Sequence, residues 1–240
     1  MKLIEFISQK LPTNNFKRIL RRLFYSIVFS FPLKNDKYLL INKIEAKFKR
    51  YPFCKIHAHE FNLLLEGYTK YRDIKGGDIV IDAGSIPGEF TIYASKKAGK
   101  TGKVLSFEPD ENHFKMLKDN IKLNKLVNVI PLKMGIWSED AVLNLPEGKM
   151  NVVSLDNQLK RMNIEKVDFI KMDIEGAEID AVKGMEETLK NNNVHLAIAS
   201  YHIINGQKTN IKLEKMLKGV GYKVKTDYPK HLTTYAFKDR

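Results

Sequence analysis

Ile79-Val80-Ile81-Asp82-Ala83-Gly84-Ser85-Ile86-Pro87-Gly88 is the stretch that decides the fold. Its apolar, β-branched start reads as a buried parallel strand that ends on Asp82. Gly84 and Gly88 follow. Glycine lets a tight turn bring the backbone close to a ligand while a helix begins behind it. At the next strand's spacing, Val104-Leu105-Ser106-Phe107 reads as a second strand that ends on Glu108. An acid at that place is suited to hold the two hydroxyls of a ribose. These two strands together imply a nucleoside-containing cofactor.

Outward from this stretch, helix and strand patterns alternate. A helix is expected over about 60–71, then, after the first strand, over 88–97, 112–124, 156–162, 176–190 and 208–219. Strands are expected over 103–108, 127–132, 141–145, 167–172 and 194–200. Repeated βα units demand a parallel sheet covered by helices on both faces. The chain ends differently. Gly221–Pro229 and His231–Asp239 alternate with period two around a short turn, which is a hairpin signal. The expectation is a doubly wound α/β fold: a mostly parallel seven-stranded sheet with a C-terminal antiparallel hairpin. Residues 60–240 form this domain. Residues 1–59 read as a basic, helical N-terminal extension, with Phe16, Ile19, Leu20, Leu23 and Phe24 at helical spacing.

Composition narrows the setting. The chain has 240 residues and a formal charge of +13. Residues 1–59 hold thirteen Lys/Arg against three Asp/Glu, so most of the excess lies there. The bland reading is a solvated basic surface or a helix packed on its own protein. The sharper reading is an acidic partner: an anionic membrane surface, a lipid-linked or phosphate-bearing acceptor, or RNA. No RNA-binding module is visible, so nucleic acid ranks below the other two. Cys54 is the single cysteine, which excludes an internal disulfide and suits a reducing, cytoplasmic setting. Leu23–Leu33 is broken by Ser26, Ser30 and Pro32 and has no small-residue cleavage site, so neither a membrane span nor a signal peptide is expected.

The turn itself discriminates between cofactors. A nicotinamide site uses G-x-G-x-x-G, with glycines for the turn, the pyrophosphate and the helix contact. Here the spacing is G-x-x-x-G, and Asp82 at the strand end would repel a phosphate. It suits a ligand with an ammonium group and no phosphates. S-adenosylmethionine has that chemistry: a cationic amino acid end, a ribose and an adenine.

Three motifs now stand in order: Asp82-x-Gly84-x-x-x-Gly88, Phe107-Glu108-Pro109, and Lys171-Met172-Asp173-Ile174-Glu175-Gly176-Ala177-Glu178. From about Glu60 to Asp239 the sequence resembles the FkbM-type class I methyltransferases, which use S-adenosylmethionine. That family reads D-x-G-A-N-x-G, F-E-P and K-x-D-x-E-G-A-E at these places. The chain departs at Ser85-Ile86-Pro87, where the family has Ala-Asn, so a contact from that Asn side chain has no counterpart here. The resemblance implies that Asp82, Gly84, Ser85 and Gly88 hold the amino acid end of the cofactor. It implies that Glu108 binds the ribose and that Gly135 and Ile136 flank the adenine. Trp137 either stacks there or packs in the core. The acceptor it suggests is a hydroxyl of a sugar, glycan or other small molecule, or a carboxylate. An RNA methyltransferase, and a non-catalytic binding protein that keeps the cofactor fold, are the rival readings.

Asp173 and Glu175 follow the fourth strand, at the carboxyl end where open parallel sheets bind ligands. His202 follows the fifth. Its ordinary pKa near neutrality makes it the candidate general base, with Asp173 or Glu175 to orient it; otherwise it is a loop histidine without a role. The other five histidines have no comparable placement. Glu178 reads as a helix-start acid facing the positive dipole end. The Asp173-Glu175-His202 set lacks a diagnostic ligand spacing, so no metal is expected. Asp156 reads as part of a helix N-cap.

Overall fold

The sheet is built on the buried strand of the opening stretch. In the computed structural model, which describes residues 36–41, 44–49, 66–146, 148–227 and 231–239, this strand is β3 (Ile79–Ala83). Before it stand β1 (Asp36–Ile41) and β2 (Ile44–Lys49). After it come α1 (Glu89–Ala98), β4 (Lys103–Phe107), α2 (Glu111–Leu123) and β5 (Val129–Leu132). Then follow β6 (Gly135–Ile136), β7 (Ala141–Leu145), β8 (Gly148–Val153), α3 (Leu155–Arg161) and β9 (Phe169–Met172). Next are α4 (Glu178–Lys183), α5 (Glu186–Asn191), β10 (His195–Ala199), β11 (Ile203–Ile204) and β12 (Gln207–Lys208). The chain ends with α6 (Thr209–Gly219), β13 (Lys223–Asp227) and β14 (Thr233–Phe237).

Seven strands form one sheet in the order β13-β14-β10-β9-β3-β4-β5. The five from β10 to β5 run parallel, while β14 pairs antiparallel with both β10 and β13. The chain leaves β3 towards β4 on one side and places β9 on the other, so the order reverses between β3 and β9. Successive side chains of each strand enter opposite cores. Ile81, Leu105, Ile170 and Ile198 enter one. Val80, Val104, Phe169 and Ala197 enter the other. Burial on both faces is why these strands read as apolar runs and not as alternation.

The N-terminal segment departs from expectation where it is described. Residues 36–49 contain the antiparallel ribbon β1–β2, not helix. Ile44, Ala46 and Phe48 alternate with Glu45, Lys47 and Lys49, so the period-two signal is present in the sequence. Ala46 and Phe48 are fully buried in the same core as Phe90 and Tyr93 of α1. The amides of α2 complete the join. Asn124 Oδ1 accepts from Lys47 N (2.8 Å) and its Nδ2 donates to Lys47 O (2.6 Å), while Asn120 Oδ1 accepts from Lys49 N (2.8 Å). Two side-chain amides thus replace a neighbouring strand along this edge. The amphipathic pattern at Phe16–Phe24 and most of the expected helix over 60–71 lie outside the described residues. No described helix is long and apolar enough to cross a membrane.

Two further differences have local causes. The helix expected over 176–190 is two helices. Gly184 packs so closely that a β-carbon would stand 1.9 Å from Trp137 O. Asp156 accepts from Glu187 N (3.0 Å) and Thr188 N (2.8 Å), starting α5 anew. Asp156 therefore caps α5 from across the domain, and Ser154 caps α3, accepting from Asn157 N. The loop after β5 carries a side sheet, β6-β8-β7, of which the sequence reading had only β7.

Candidate active site

The glycine turn is a backbone structure that leaves no room for side chains. Gly84 has φ +77, and a β-carbon on it would stand 1.9 Å from Asp173 O. Gly88 has φ +104 and precedes α1. Ser85 Oγ donates to Asp82 O (2.7 Å), tying the turn to the strand below it. Asn120 Nδ2 donates to Pro87 O (2.7 Å), so the residue that holds β2 also holds the turn. The Ile86–Pro87 bond is cis.

Asp82 lies beneath this turn with no exposed surface. Its Oδ2 accepts from Thr91 Oγ1 (2.6 Å), and its Oδ1 lies 3.1 Å from Lys171 Nζ. Lys171 directs its hydrogen bonds to Gly84 O (2.6 Å) and Ala83 O (3.2 Å). Burial alone would lower the Lys171 pKa. The charges of Asp82, Asp173 and Glu89 outweigh it and hold the ammonium protonated. Glu89 opens α1, and its Oε2 is buried without a partner. Burial, only partly offset by Lys171, raises its pKa to about 8.

Glu108 follows β4, is nearly buried, and accepts from Asp110 N (3.1 Å). Burial raises its pKa. Gly135 lies nearby: a β-carbon there would meet Pro109 Cγ at 3.8 Å and Val152 Cγ1 at 3.3 Å. Ile136 is buried beside it in the core under β4. The turn follows β3, Glu108 follows β4, and Gly135 lies beside Pro109, so these residues stand at neighbouring strand ends.

Asp173, Glu175 and His202 meet beyond the carboxyl ends of β9 and β10. Asp173 N donates to Ala83 O (3.1 Å), locking the third motif to the first. Its carboxylate accepts from Tyr68 OH (2.8 Å) and Tyr201 OH (3.4 Å). Burial and the Asp173 charge push the Tyr68 and Tyr201 hydroxyls well above their ordinary pKa. His202 Nε2 lies 3.5 Å from Glu175 Oε2 and 3.9 Å from Asp173 Oδ1. Its Nδ1 lies 3.1 Å from Glu178 Oε1. Burial would lower the His202 pKa. Glu178 first, then Asp173 and Glu175, more than reverse this, so the imidazole titrates above 6.5. Asp173, Glu178 and His202 bring ligand-capable atoms within 4.8 Å of one another, a spacing that a divalent cation also accepts.

The fold brings Asp173, Glu175 and His202 together and joins Asp173 to the glycine turn, while Asp82 is buried beneath that turn and Glu108 and Gly135–Ile136 stand at the neighbouring strand ends. It adds others. Glu89 and Thr91 come from α1, Lys171 from β9, Glu178 from α4 and Tyr68 from the segment before β3. His231 packs its ring against Tyr201 (5.1 Å) and Tyr68 (5.5 Å), although nothing in its sequence position marks it. Lys171 and Glu178 lie inside the third motif, so their presence was legible there. Their roles were not.

Residues 82–224 match the Methyltransferase FkbM domain. Methyltransferase sdnD of Sordaria araneosa is 25% identical over 199 residues, covering 62% of this chain and 73% of that protein. Hexuronic acid methyltransferase AglP of Haloferax volcanii is 28% identical over 141 residues, covering 52% of this chain and 56% of that protein. Among solved structures, a methyltransferase FkbM from Methylobacillus flagellatus superposes with a TM-score of 0.58 at 19% identity, covering 70% of this chain and 46% of that one. The sheet order and a domain match spanning more than half of the sequence agree: the chain belongs to the FkbM methyltransferase family, with the class I S-adenosylmethionine-dependent fold.

Proposed function

We propose that the protein transfers the methyl group of S-adenosylmethionine to an oxygen of a sugar, glycan or small molecule, and that this oxygen is a hydroxyl. The observation that carries the reading is the meeting of His202 with Asp173 and Glu175 at the carboxyl ends of β9 and β10, beside the glycine turn that Asp173 touches. The residues fit this cofactor. Asp82 and Asp173 place two carboxylates at the turn, and the buried ammonium there, Lys171, is already matched by Asp82. Such a setting favours a ligand that ends in an ammonium and disfavours a phosphate.

When bound, S-adenosylmethionine supplies an electrophilic methyl carbon. The chain supplies alignment and a proton acceptor. Asp82 acts through the shape and charge of the turn, because its carboxylate is engaged by Thr91 and Lys171. Glu108 receives the ribose hydroxyls, and Gly135 and Ile136 flank the adenine. At the acceptor end, His202 Nε2 takes the hydroxyl proton as the new C–O bond forms. Asp173 and Glu175 stabilise the charge that His202 acquires. A carboxylate acceptor would face three carboxylates at this end, which favours a neutral hydroxyl.

Transfer of labelled methyl into a cell extract, followed by fractionation into lipid, glycan, RNA and small molecules, tests this. The expected product is a methyl ether whose label survives mild alkali. Volatile label released by alkali would mean a methyl ester and a carboxylate acceptor. Label in RNA, or in no fraction, would overturn the reading.

A further inference from the structure

We propose that Glu178 is a positioning residue for the reaction: it holds the His202 ring with Nδ1 against its own carboxylate and turns Nε2 towards the acceptor. The inference rests on the reading of His202 as the proton acceptor, and it assigns to Glu178 the orienting role that the sequence gives to Asp173 or Glu175.

Glu178 is fully buried, unlike a helix-start acid that serves only a dipole. Its Oε1 accepts from Ile174 N (3.1 Å) and Gly176 N (3.3 Å), so the carboxylate is fixed to the turn that follows β9. The same oxygen lies 3.1 Å from His202 Nδ1, while its Oε2 has no hydrogen-bond partner. A buried carboxylate is costly unless it is paired. The imidazole is the ionisable partner in reach.

The other side of the ring is different. Nε2 faces Asp173 (3.9 Å) and Glu175 (3.5 Å), and the Glu175 side chain is 87% exposed. Both ring nitrogens are buried and neither makes a straight hydrogen bond within the protein, so Nε2 has no partner to give up when an acceptor hydroxyl reaches it. The ring has little freedom to turn. Tyr201 packs on it at 4.1 Å, and the His202 carbonyl accepts from Thr209 N (2.9 Å) at the base of the β11–β12 ribbon. The groups that face the imidazole are Glu178 from α4, Asp173 and Glu175 from the turn after β9, and Tyr201 from the end of β10. A carboxylate on Nδ1 fixes the proton there in the neutral ring, leaves the Nε2 lone pair free, and stabilises the imidazolium formed on proton transfer.

The test uses the full chain labelled with ¹⁵N-histidine, with His202 assigned by its loss in His202→Asn. In the wild type, the neutral ring should carry its proton on Nδ1 and titrate above 6.5. Glu178→Gln can still accept the two amide hydrogens but lacks the charge. It should move the His202 midpoint downwards and lower kcat about 10²-fold, with KM and S-adenosylmethionine binding little changed. Glu178→Asp should restore part of both. A wild-type neutral ring protonated on Nε2, or a midpoint unmoved in Glu178→Gln, would overturn the proposal. Broadening of the His202 signals by stoichiometric Mn²⁺ would also overturn it, by making the cluster a cation site. The nitrogen signals need no methyl transfer. An inactive protein with the expected tautomer would therefore sink the transfer reading and leave this pairing in place.

Discussion

Gly84 is packed against Asp173 so closely that a β-carbon would overlap the Asp173 carbonyl oxygen, at 1.9 Å. The first motif thus sits directly on the third, so the glycine turn is shaped by the turn that follows β9. Gly84→Ala must move either backbone, and the φ of +77 alone costs a β-carbon about 1–3 kcal/mol. The thermal midpoint should fall by at least ~2–4 °C per kcal/mol lost, and S-adenosylmethionine binding should weaken with it. An unshifted midpoint with full binding would show that the contact is not a constraint.

Glu108 tests the ribose assignment. Two hydrogen bonds to a charged acceptor contribute about 1.5–3 kcal/mol each, so Glu108→Ala should weaken S-adenosylmethionine binding by about 10²- to 10⁴-fold in calorimetry. Glu108→Gln should lie between. Wild-type affinity in Glu108→Ala would remove the residue from the site.

Glu89 makes stability depend on pH. Its pKa is raised from 4.5 to about 8, because burial disfavours the charged form. The folded protein therefore holds a proton that the unfolded chain has lost. This contribution is complete below 4.5 and is lost as pH rises through about 8. Between those values one such proton gives a slope of ~1.4 kcal/mol per pH unit. Denaturant unfolding of Glu89→Gln from pH 5 to 9 should flatten the decline by up to that amount. Parallel curves for the two proteins would place the Glu89 proton elsewhere.

Asn120 joins β2 to the cofactor turn through Lys49 N and Pro87 O. Asn120→Ala leaves both backbone groups without their partner in a buried setting, at about 1–3 kcal/mol each. The expected result is a stability loss of a few kcal/mol, together with weaker S-adenosylmethionine binding. Asn124→Ala breaks the β2 contacts and one bond to Asn120 O at the end of α2, leaves the Asn120–Pro87 bond in place, and should spare the binding. Equal binding losses in the two variants would mean that the turn senses the whole ribbon and not Asn120.

The sequence by itself determined the parallel sheet, the glycine turn, Glu108 and the third motif, because these follow from local rules. Buried strands are apolar runs, tight turns need glycine, and ligands meet the carboxyl ends of strands. The C-terminal hairpin was legible for the same reason. β2 carries its alternation in the sequence, but it lies outside the main sheet and is held by Asn120 and Asn124 of α2, a long-range contact that the local pattern does not show.

Only the tertiary structure decided which charges meet. Asp82 and Lys171 are 89 residues apart in the chain yet share register across β3 and β9, so the lysine and not a ligand sits on the aspartate. Glu178 and His202 come together because β9 and β10 are parallel neighbours, which sets their carboxyl-end loops side by side. Tyr68 and His231 arrive from segments before and after the parallel strands. Long-range pairing of this kind leaves no periodic trace in a sequence. Which carboxylate orients a base, and which is buried beneath a turn, therefore depends on how the strands are ordered in the sheet.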